Sequence, residues 1–292
     1  MPAEFCSPKG RTIFERDGTC LSRAALLSLI AAYNQKNATN HKKLALSGTK
    51  RELWTRLDGA MASSVGAGNE AAWADRLCSS SEEVVEHFTP KMPSEWKRNE
   101  YAWLSNWDID KVMQQYEEEE SYKCKYLGTF SVDFATQGQC DYTRACEIDL
   151  KRLLKEKKHH VGCVINTDPH DKPGQHWIAL FMVINPRLPC YGAYFYDSTA
   201  SPPPPQVLAY MKMMRQKAHA TFPGKRFRLA WSNKKMQWKN TECGVFSMAY
   251  IIRWLNMLKN RKGKVDMREI IEQNIDDGDI HKLRAVLYRR SF

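Results

Sequence analysis

Four residues of this 292-residue chain, His176, Asp197, Gln237 and Cys243, have the types and the order that thiol-based hydrolysis requires. Cys243 opens an apolar run, Cys243–Ile252, that reads as a buried helix. A thiol in the first turn feels the positive end of the helix dipole, and a cationic histidine beside it would favour the nucleophilic thiolate. A carboxylate that holds the imidazole in place completes such a site, and Asp197 is the candidate. Gln237 lies in the segment leading to that helix, where its carboxamide N–H could join the Cys243 backbone N–H in holding an oxyanion. Gly244 would leave the backbone open to a substrate. Singly, each residue has a plainer reading: a small buried hydrophobe, a turn, a strand edge, a surface amide. Their combination, each at the end of an element, is what points to a nucleophile, a base and an orienting acid.

Three apolar runs, residues 161–167, 176–184 and 191–196, are separated by turn-forming stretches containing Asp168-Pro169, Pro173-Gly174 and Pro186. They predict adjacent strands of one sheet. Antiparallel pairing of the second and third would bring His176 and Asp197 to the same end. A helix is expected over residues 206–219, after the stiff run Pro202–Pro205. Towards the start of the chain, helices are expected at 21–33, after Ser22, and at 47–57, where Leu53, Trp54 and Leu57 share a face. The pair is similar to the SAP type of small nucleic-acid-binding module. Residues 59–70 and 78–83 read as linkers around a helix at 70–77, and Pro90 and Pro93 mark a domain boundary. The expected organisation is a mostly helical extension over 1–90 and a second domain over 91–292.

The charge balance is uneven, with 44 Lys and Arg against 33 Asp and Glu, a net +11. Residues 151–292 alone carry +15, and nine of their cations fall between Ser198 and Thr241 with no acidic residue among them. A polyanionic partner is one expectation, with Lys212, Arg215, Arg226, Arg228, Lys234 and Lys235 as candidate nucleic-acid contacts. A solvated helix face with a basic loop is the plainer one. The longest apolar stretch, Trp177–Ile184, has eight residues, far short of the roughly 20 a membrane-spanning helix needs. Nine scattered cysteines, in a chain large enough to need no disulfides, predict a reducing compartment and free thiols. Cys140, Cys146, His159, His160 and Cys163 lack a tight Cys-x-x-Cys pair, so no metal site is expected.

The wording of the motifs is specific. Gly174-Gln175-His176-Trp177-Ile178-Ala179-Leu180, Tyr194-Phe195-Tyr196-Asp197-Ser198, and Gln237 with Thr241-Glu242-Cys243-Gly244 resemble the signature of the adenain and SUMO-protease superfamily of cysteine peptidases. Upstream, Trp103-Leu104-Ser105-Asn106-Trp107-Asp108-Ile109 resembles that superfamily's entry motif, and together these span residues 96–260. Within the superfamily, the chain is most similar to the polyprotein-processing proteases of large cytoplasmic DNA viruses, such as that of African swine fever virus. Glu242 and Asn106 depart from the SUMO proteases, which have Asp at both places.

The resemblance implies an α+β fold, a mixed sheet packed on a central helix that bears the catalytic cysteine, with a helical extension before it. Cys243 would be the nucleophile, His176 the general base and acid, Asp197 its orienting group and Gln237 the oxyanion donor. Trp103 and Trp177, with Asn106 and Gly244, would contact substrate, and the tryptophan pair would admit only glycines, implying cleavage after Gly-Gly or Ala-Gly. The implied substrate is a viral structural precursor, in host cytoplasm and in the virion. No cofactor is required for the chemistry, with DNA or a peptide as an activator, as in the adenovirus enzyme. Two other readings stay open: an isopeptidase acting on ubiquitin or a ubiquitin-like modifier, and a nucleic-acid-binding protein on a protease-like scaffold.

Overall fold

The computed structural model describes residues 2–37, 43–77, 81–136, 138–261, 265–271 and 275–290. The chain divides into two compact units, residues 1–92 with 284–292, and residues 93–283.

The first unit is built from helices α1 (Pro8–Asp17), α2 (Arg23–Lys36), α3 (Lys50–Val65), α4 (Glu70–Leu77) and the single turn α5 (Glu82–Val85). Their starts follow from the sequence: the Ser7, Ser22 and Thr49 side chains accept from backbone N–H groups of Gly10, Ala25 and Glu52, and Glu52 completes a capping box. Leu26, Leu29, Ile30, Leu53, Leu57 and Trp73 form one apolar core. The linker expected from residue 59 is corrected, because α3 runs on to Val65. Ala60 and Ala62 favour helix, Met61 is buried, and the helix stops only at Gly66. The second expected linker is part helix, α5, while Cys78–Ser80 and residues 38–42, between the two expected helices, lie outside the described residues. Residues 284–292 fall in this unit: Arg289 forms an ion pair with Asp75 (2.8 Å) and donates its Nε to the Thr89 carbonyl (3.0 Å).

A second correction concerns the cysteines. Cys6 is disulfide-bonded to Cys20 and Cys140 to Cys146, whereas Cys124, Cys163, Cys190 and Cys243 are buried thiols outside these bridges. The sequence signal was silent because bridge partners are set by the fold that brings them together, not by spacing.

The second unit holds a five-stranded mixed sheet in sequence order: β1 (Cys124–Ser131), β2 (His160–Asn166), β3 (Trp177–Val183), β4 (Gly192–Tyr196) and β5 (Arg228–Trp231). The outer pairs, β1 with β2 and β4 with β5, are parallel, and the inner pairs are antiparallel. The inner strands are almost wholly buried, which is why they read as continuous apolar runs: helices cover both faces. Around the sheet lie α6 (Asn106–Glu118), α7 (Gln139–Thr143), α8 (Leu150–Lys155), α9 (Pro205–Thr221), α10 (Cys243–Asn260), α11 (Met267–Ile271) and α12 (Asp277–Leu287).

On one face, Val161, Cys163, Ile178, Leu180 and Met182 pack with Val207, Met211 and Met214 of α9. On the other, Phe181 stacks on Trp254 of α10 (ring centroids 5.2 Å) and Tyr196 on Tyr250 (4.5 Å). Gly162 has no side chain because a Cβ there would lie 3.2 Å from Ile251, so α10 rides close against β2. The result is the expected α+β layering, with Cys243 at the end of the central helix. Among the described residues no helix is long and apolar enough to cross a membrane.

Candidate active site

The pairing of β3 with β4 sets Ala179 opposite Tyr196. His176, just before β3, and Asp197, just after β4, therefore meet at one sheet end, where His176 Nε2 donates to Asp197 Oδ1 (2.8 Å). Asp197 is buried and also accepts from the Thr199 backbone N–H and hydroxyl, both at 2.8 Å. Those bonds leave the carboxylate little freedom to turn away from the ring.

Cys243 is the first residue of α10 and is buried at 3% exposure. Its thiol acts on the imidazole of His176, raising that ring's pKa. Burial on its own lowers the imidazole pKa, but the bonds to Asp197 and Cys243 and their negative charge outweigh it and raise the value from 6.5 to about 9. In the partner, burial raises the Asp197 carboxyl, and the bond and charge of His176 pull it below its ordinary value. At neutral pH the geometry therefore holds a cationic imidazole between a carboxylate and a thiol at a helix N-terminus, the setting that generates a thiolate.

Gln237 is buried and locked from both ends. The Ser198 hydroxyl donates to Gln237 Oε1, and Gln237 Nε2 donates to the Lys239 carbonyl, both at 2.6 Å. The Gln237 and Met236 backbone N–H groups both donate to the Ser198 carbonyl (2.9 Å). Since a carboxamide nitrogen has two N–H donors, one remains for a ligand. Ser198, which follows Asp197 directly, thus couples the acid to the amide, a role the sequence reading did not give it.

Among the residues expected to meet substrate, Trp103 is 47% exposed and Asn106 is the exposed first residue of α6. The Trp177 indole N–H donates to the Leu104 carbonyl (3.1 Å). Gly244 is corrected: a Cβ there would sit 3.2 Å from Trp177 Cδ1 and 3.3 Å from Leu104 Cδ1, so the glycine lets Trp177 seat on α10 rather than leaving backbone open. Exposed aromatics missed by the sequence reading stand beside these residues in the chain, Trp107 at 70% and Trp238 at 73%. Tyr101, Thr199, Gln237, Trp238 and Lys239 line a cleft of about 560 Å³.

Of the basic candidates, Lys235 lines the same cleft as Gln237 and Trp238. Lys212 and Arg215 are exposed on α9, Arg226 and Arg228 at the approach to β5 and its first residue, and Lys234 and Lys235 between β5 and Gln237. Lys235 lies over the Trp238 ring (4.4 Å). No group of His, Cys, Asp and Glu that could hold a metal occurs among the described residues.

No protein-family model matches the chain. It is 28% identical over 209 residues to a cysteine protease of African swine fever virus, an alignment covering 66% of this chain and 70% of that one. It is 27% identical over 199 residues to a putative thiol protease of Acanthamoeba polyphaga mimivirus, covering 67% of this chain and 60% of that one. The crystal structure of the African swine fever virus protease superposes with a TM-score of 0.60 at 21% identity, covering 98% of this chain and 97% of the other, which shows the fold. These likenesses make the chain a cysteine protease, similar to the viral enzymes of this kind and folded like that of African swine fever virus. The fold likeness to the African swine fever virus protease extends over nearly the whole chain, whereas the sequence likeness covers about two thirds of it.

Proposed function

We propose that this protease is an endopeptidase that matures structural precursors of a large cytoplasmic DNA virus, cutting after Gly-Gly or Ala-Gly through Cys243, His176 and Asp197. The observation that carries the reading is the His176–Asp197 bond at 2.8 Å, with the Cys243 thiol at the N-terminus of α10 raising the pKa of the same imidazole. The Cys243 thiolate attacks the scissile carbonyl carbon and the oxygen becomes an oxyanion, which the Cys243 backbone N–H and the remaining Gln237 N–H stabilise. The C–N bond then breaks as His176 gives its proton to the leaving amine, leaving a thioester. Neutral His176 takes a proton from water, the hydroxide attacks the thioester, and the thiolate–imidazolium pair returns with a free carboxylate product. Trp177, fixed over Gly244, supports a narrow approach that suits residues without side chains.

The reading places the enzyme in host cytoplasm and in the particle. DNA would act as tether or activator through exposed cations such as Lys212, Arg215 and Arg226, and binding would then weaken steeply with salt. Removal of a ubiquitin-like modifier is the second reading. It is favoured by one observation, that a relative 28% identical over 212 residues, also from African swine fever virus, is named a SUMO-1 cysteine protease.

The test is cleavage of a recombinant structural precursor containing Gly-Gly sites, compared with reaction of a ubiquitin-like modifier bearing a C-terminal electrophile. Precursor cleavage that disappears in Cys243→Ala supports the first reading. Reaction with the modifier alone supports the second.

A further inference from the structure

Helix α12 reaches the segment that joins Gln237 to Cys243 at both of its ends. Asp277 Oδ2 accepts the backbone N–H groups of Trp238 (2.9 Å) and Lys239 (3.2 Å). One turn further, His281 Nδ1 lies 2.9 Å from Oε1 of Glu242, the residue before the nucleophile. The Glu242 carboxylate is buried at 1% exposure, and the His281 ring stacks on Tyr101 (centroids 4.6 Å, planes 25° apart). Residues four apart on a helix share a face, so a single face of α12 supplies both contacts.

The helix does not need Asp277 for its own start. Asp276 fills that role, its side chain accepting the Asp279 N–H (2.9 Å) and its carbonyl the Ile280 N–H (3.0 Å). The Asp277 carboxylate is thereby turned to the loop. Ile280, buried between the two contacts in sequence, lines a void of about 10 Å³ with Met236 and Phe246, so α12 is seated on the apolar residues that flank the same segment.

The bonds form a continuous line to the amide. Asp277 holds the Lys239 N–H, and the Lys239 carbonyl holds Gln237 Nε2. The orientation of Lys239 therefore fixes which Gln237 N–H is spent inside the protein and which is left over. A misplacement of about 1 Å in such a group lowers a rate by about 100-fold.

We propose that Asp277 and His281 are positioning residues of the protease, with Asp277 setting the Gln237 carboxamide through Lys239 and His281 holding Glu242 at the start of the nucleophile's helix. The inference rests on the reading of Cys243 and Gln237 given above. It assigns α12 a part in turnover rather than in thiol activation, since neither residue touches His176 or Asp197 through any of these bonds.

The experiment measures kcat and KM of the full chain on a Gly-Gly peptide carrying a fluorogenic amide, alongside the rate of iodoacetamide alkylation of Cys243. Asp277→Ala is expected to lower kcat by about 10- to 100-fold with KM and alkylation each within about threefold of the parent. Asp277→Asn, which keeps an acceptor oxygen, is expected to recover most of that loss. In a Gln237→Ala background, Asp277→Ala is expected to lower kcat by less than about twofold, because the amide it sets is gone. His281→Ala is expected to lower kcat by about three- to tenfold.

Equal losses from Asp277→Ala with and without Gln237 would overturn the inference, as would unchanged kcat. If Asp277→Ala does not fold, the same cycle is run with Asp277→Asn and His281→Ala, and parent-like kcat in both would overturn it. A parent that does not cleave the peptide, or cleaves it as fast after Cys243→Ala, is a different result: it removes the functional reading itself.

Discussion

Two buried carboxylates, one in each unit, are both pushed up by burial yet end with pKa values shifted in opposite directions. Glu70 in the helical unit is 2% exposed and accepts from the Trp54 indole N–H (2.6 Å) and the Cys20 backbone N–H (2.9 Å). Burial pushes its pKa up, and these neutral donors, with the Thr19 hydroxyl and the weaker pull of the Lys50 charge, which makes no bond to it, do not bring it back to the ordinary value. Asp197 in the sheet unit is buried at 3% exposure, yet its pKa falls, because one of its donors is an imidazolium. Neutral hydrogen bonds make a buried acid tolerable, whereas a cation keeps it ionised, and only an ionised acid keeps a histidine charged. The first arrangement holds helices together. The second is the arrangement that the proposed chemistry uses.

The largest expected effect separates the two regions by activity. Cys243→Ala and His176→Ala should each lower kcat/KM by about 10⁴-fold or more, with thermal unfolding near that of the parent. Gln237→Ala should lower kcat by about 10²- to 10³-fold with KM little changed, read from initial rates. In the helical unit the corresponding loss is of stability: Trp73→Ala removes a fully buried ring and should lower unfolding free energy by about 3–5 kcal/mol in a denaturant titration. The glycines give a smaller version of the contrast. Gly10→Ala would put a Cβ 2.1 Å from the His87 carbonyl oxygen and should destabilise by about 1–3 kcal/mol or more. Gly244→Ala meets the side chains of Trp177 at 3.2 Å and Leu104 at 3.3 Å rather than backbone, and should lower kcat/KM by about tenfold or less with a smaller loss of stability than Gly10→Ala.

The smallest effect is in pH dependence, and its signs differ. Glu70 has a raised pKa in the folded state, so its contribution is present below the ordinary value of 4.5 and is lost as pH rises through the folded one. Asp197 has a lowered pKa, so its contribution is present above 3.8 and is lost as pH falls through the folded value. His176 contributes fully below 6.5, and its contribution is lost as pH rises through about 9. Turnover should fall over that same upper range, because the leaving amine then lacks its proton donor. Stability curves of Glu70→Gln and Asp197→Asn between pH 3 and 10 should therefore depart from the parent in opposite directions on the acid side.

The strands that carry His176 and Asp197 were legible because burial on both faces writes itself as unbroken apolar runs with turns between them. The helices from Arg23 and Lys50 were legible through Ser22 and Thr49, whose caps are local. Other features depend on partners far along the chain. β1 is mostly half-buried, so its run has no clear pattern. Residues 59–65 carry linker-like composition but are held as helix by the burial of Met61. Gly244 looked like an opening because its neighbour Trp177 is 67 residues away in sequence. Asp277 and His281 reach back about 40 residues to Trp238 and Glu242, and no motif marks them.

The central claim is that Cys243, beside His176 at the start of α10, is the reactive thiol, while burial keeps the other described thiols unreactive. Burial pushes Cys124 up to about 12 and Cys190 up to about 11, and raises Cys163 as well. The direct test is the rate of iodoacetamide labelling at each cysteine between pH 5.5 and 8, mapped by mass spectrometry in the parent and in His176→Ala. The account predicts that Cys243 is labelled at least about 100-fold faster than Cys124, Cys163 or Cys190 at pH 6–7 and that this lead collapses in the variant. Labelling of Cys243 at the rate of the other three, or an undiminished lead without His176, would contradict it.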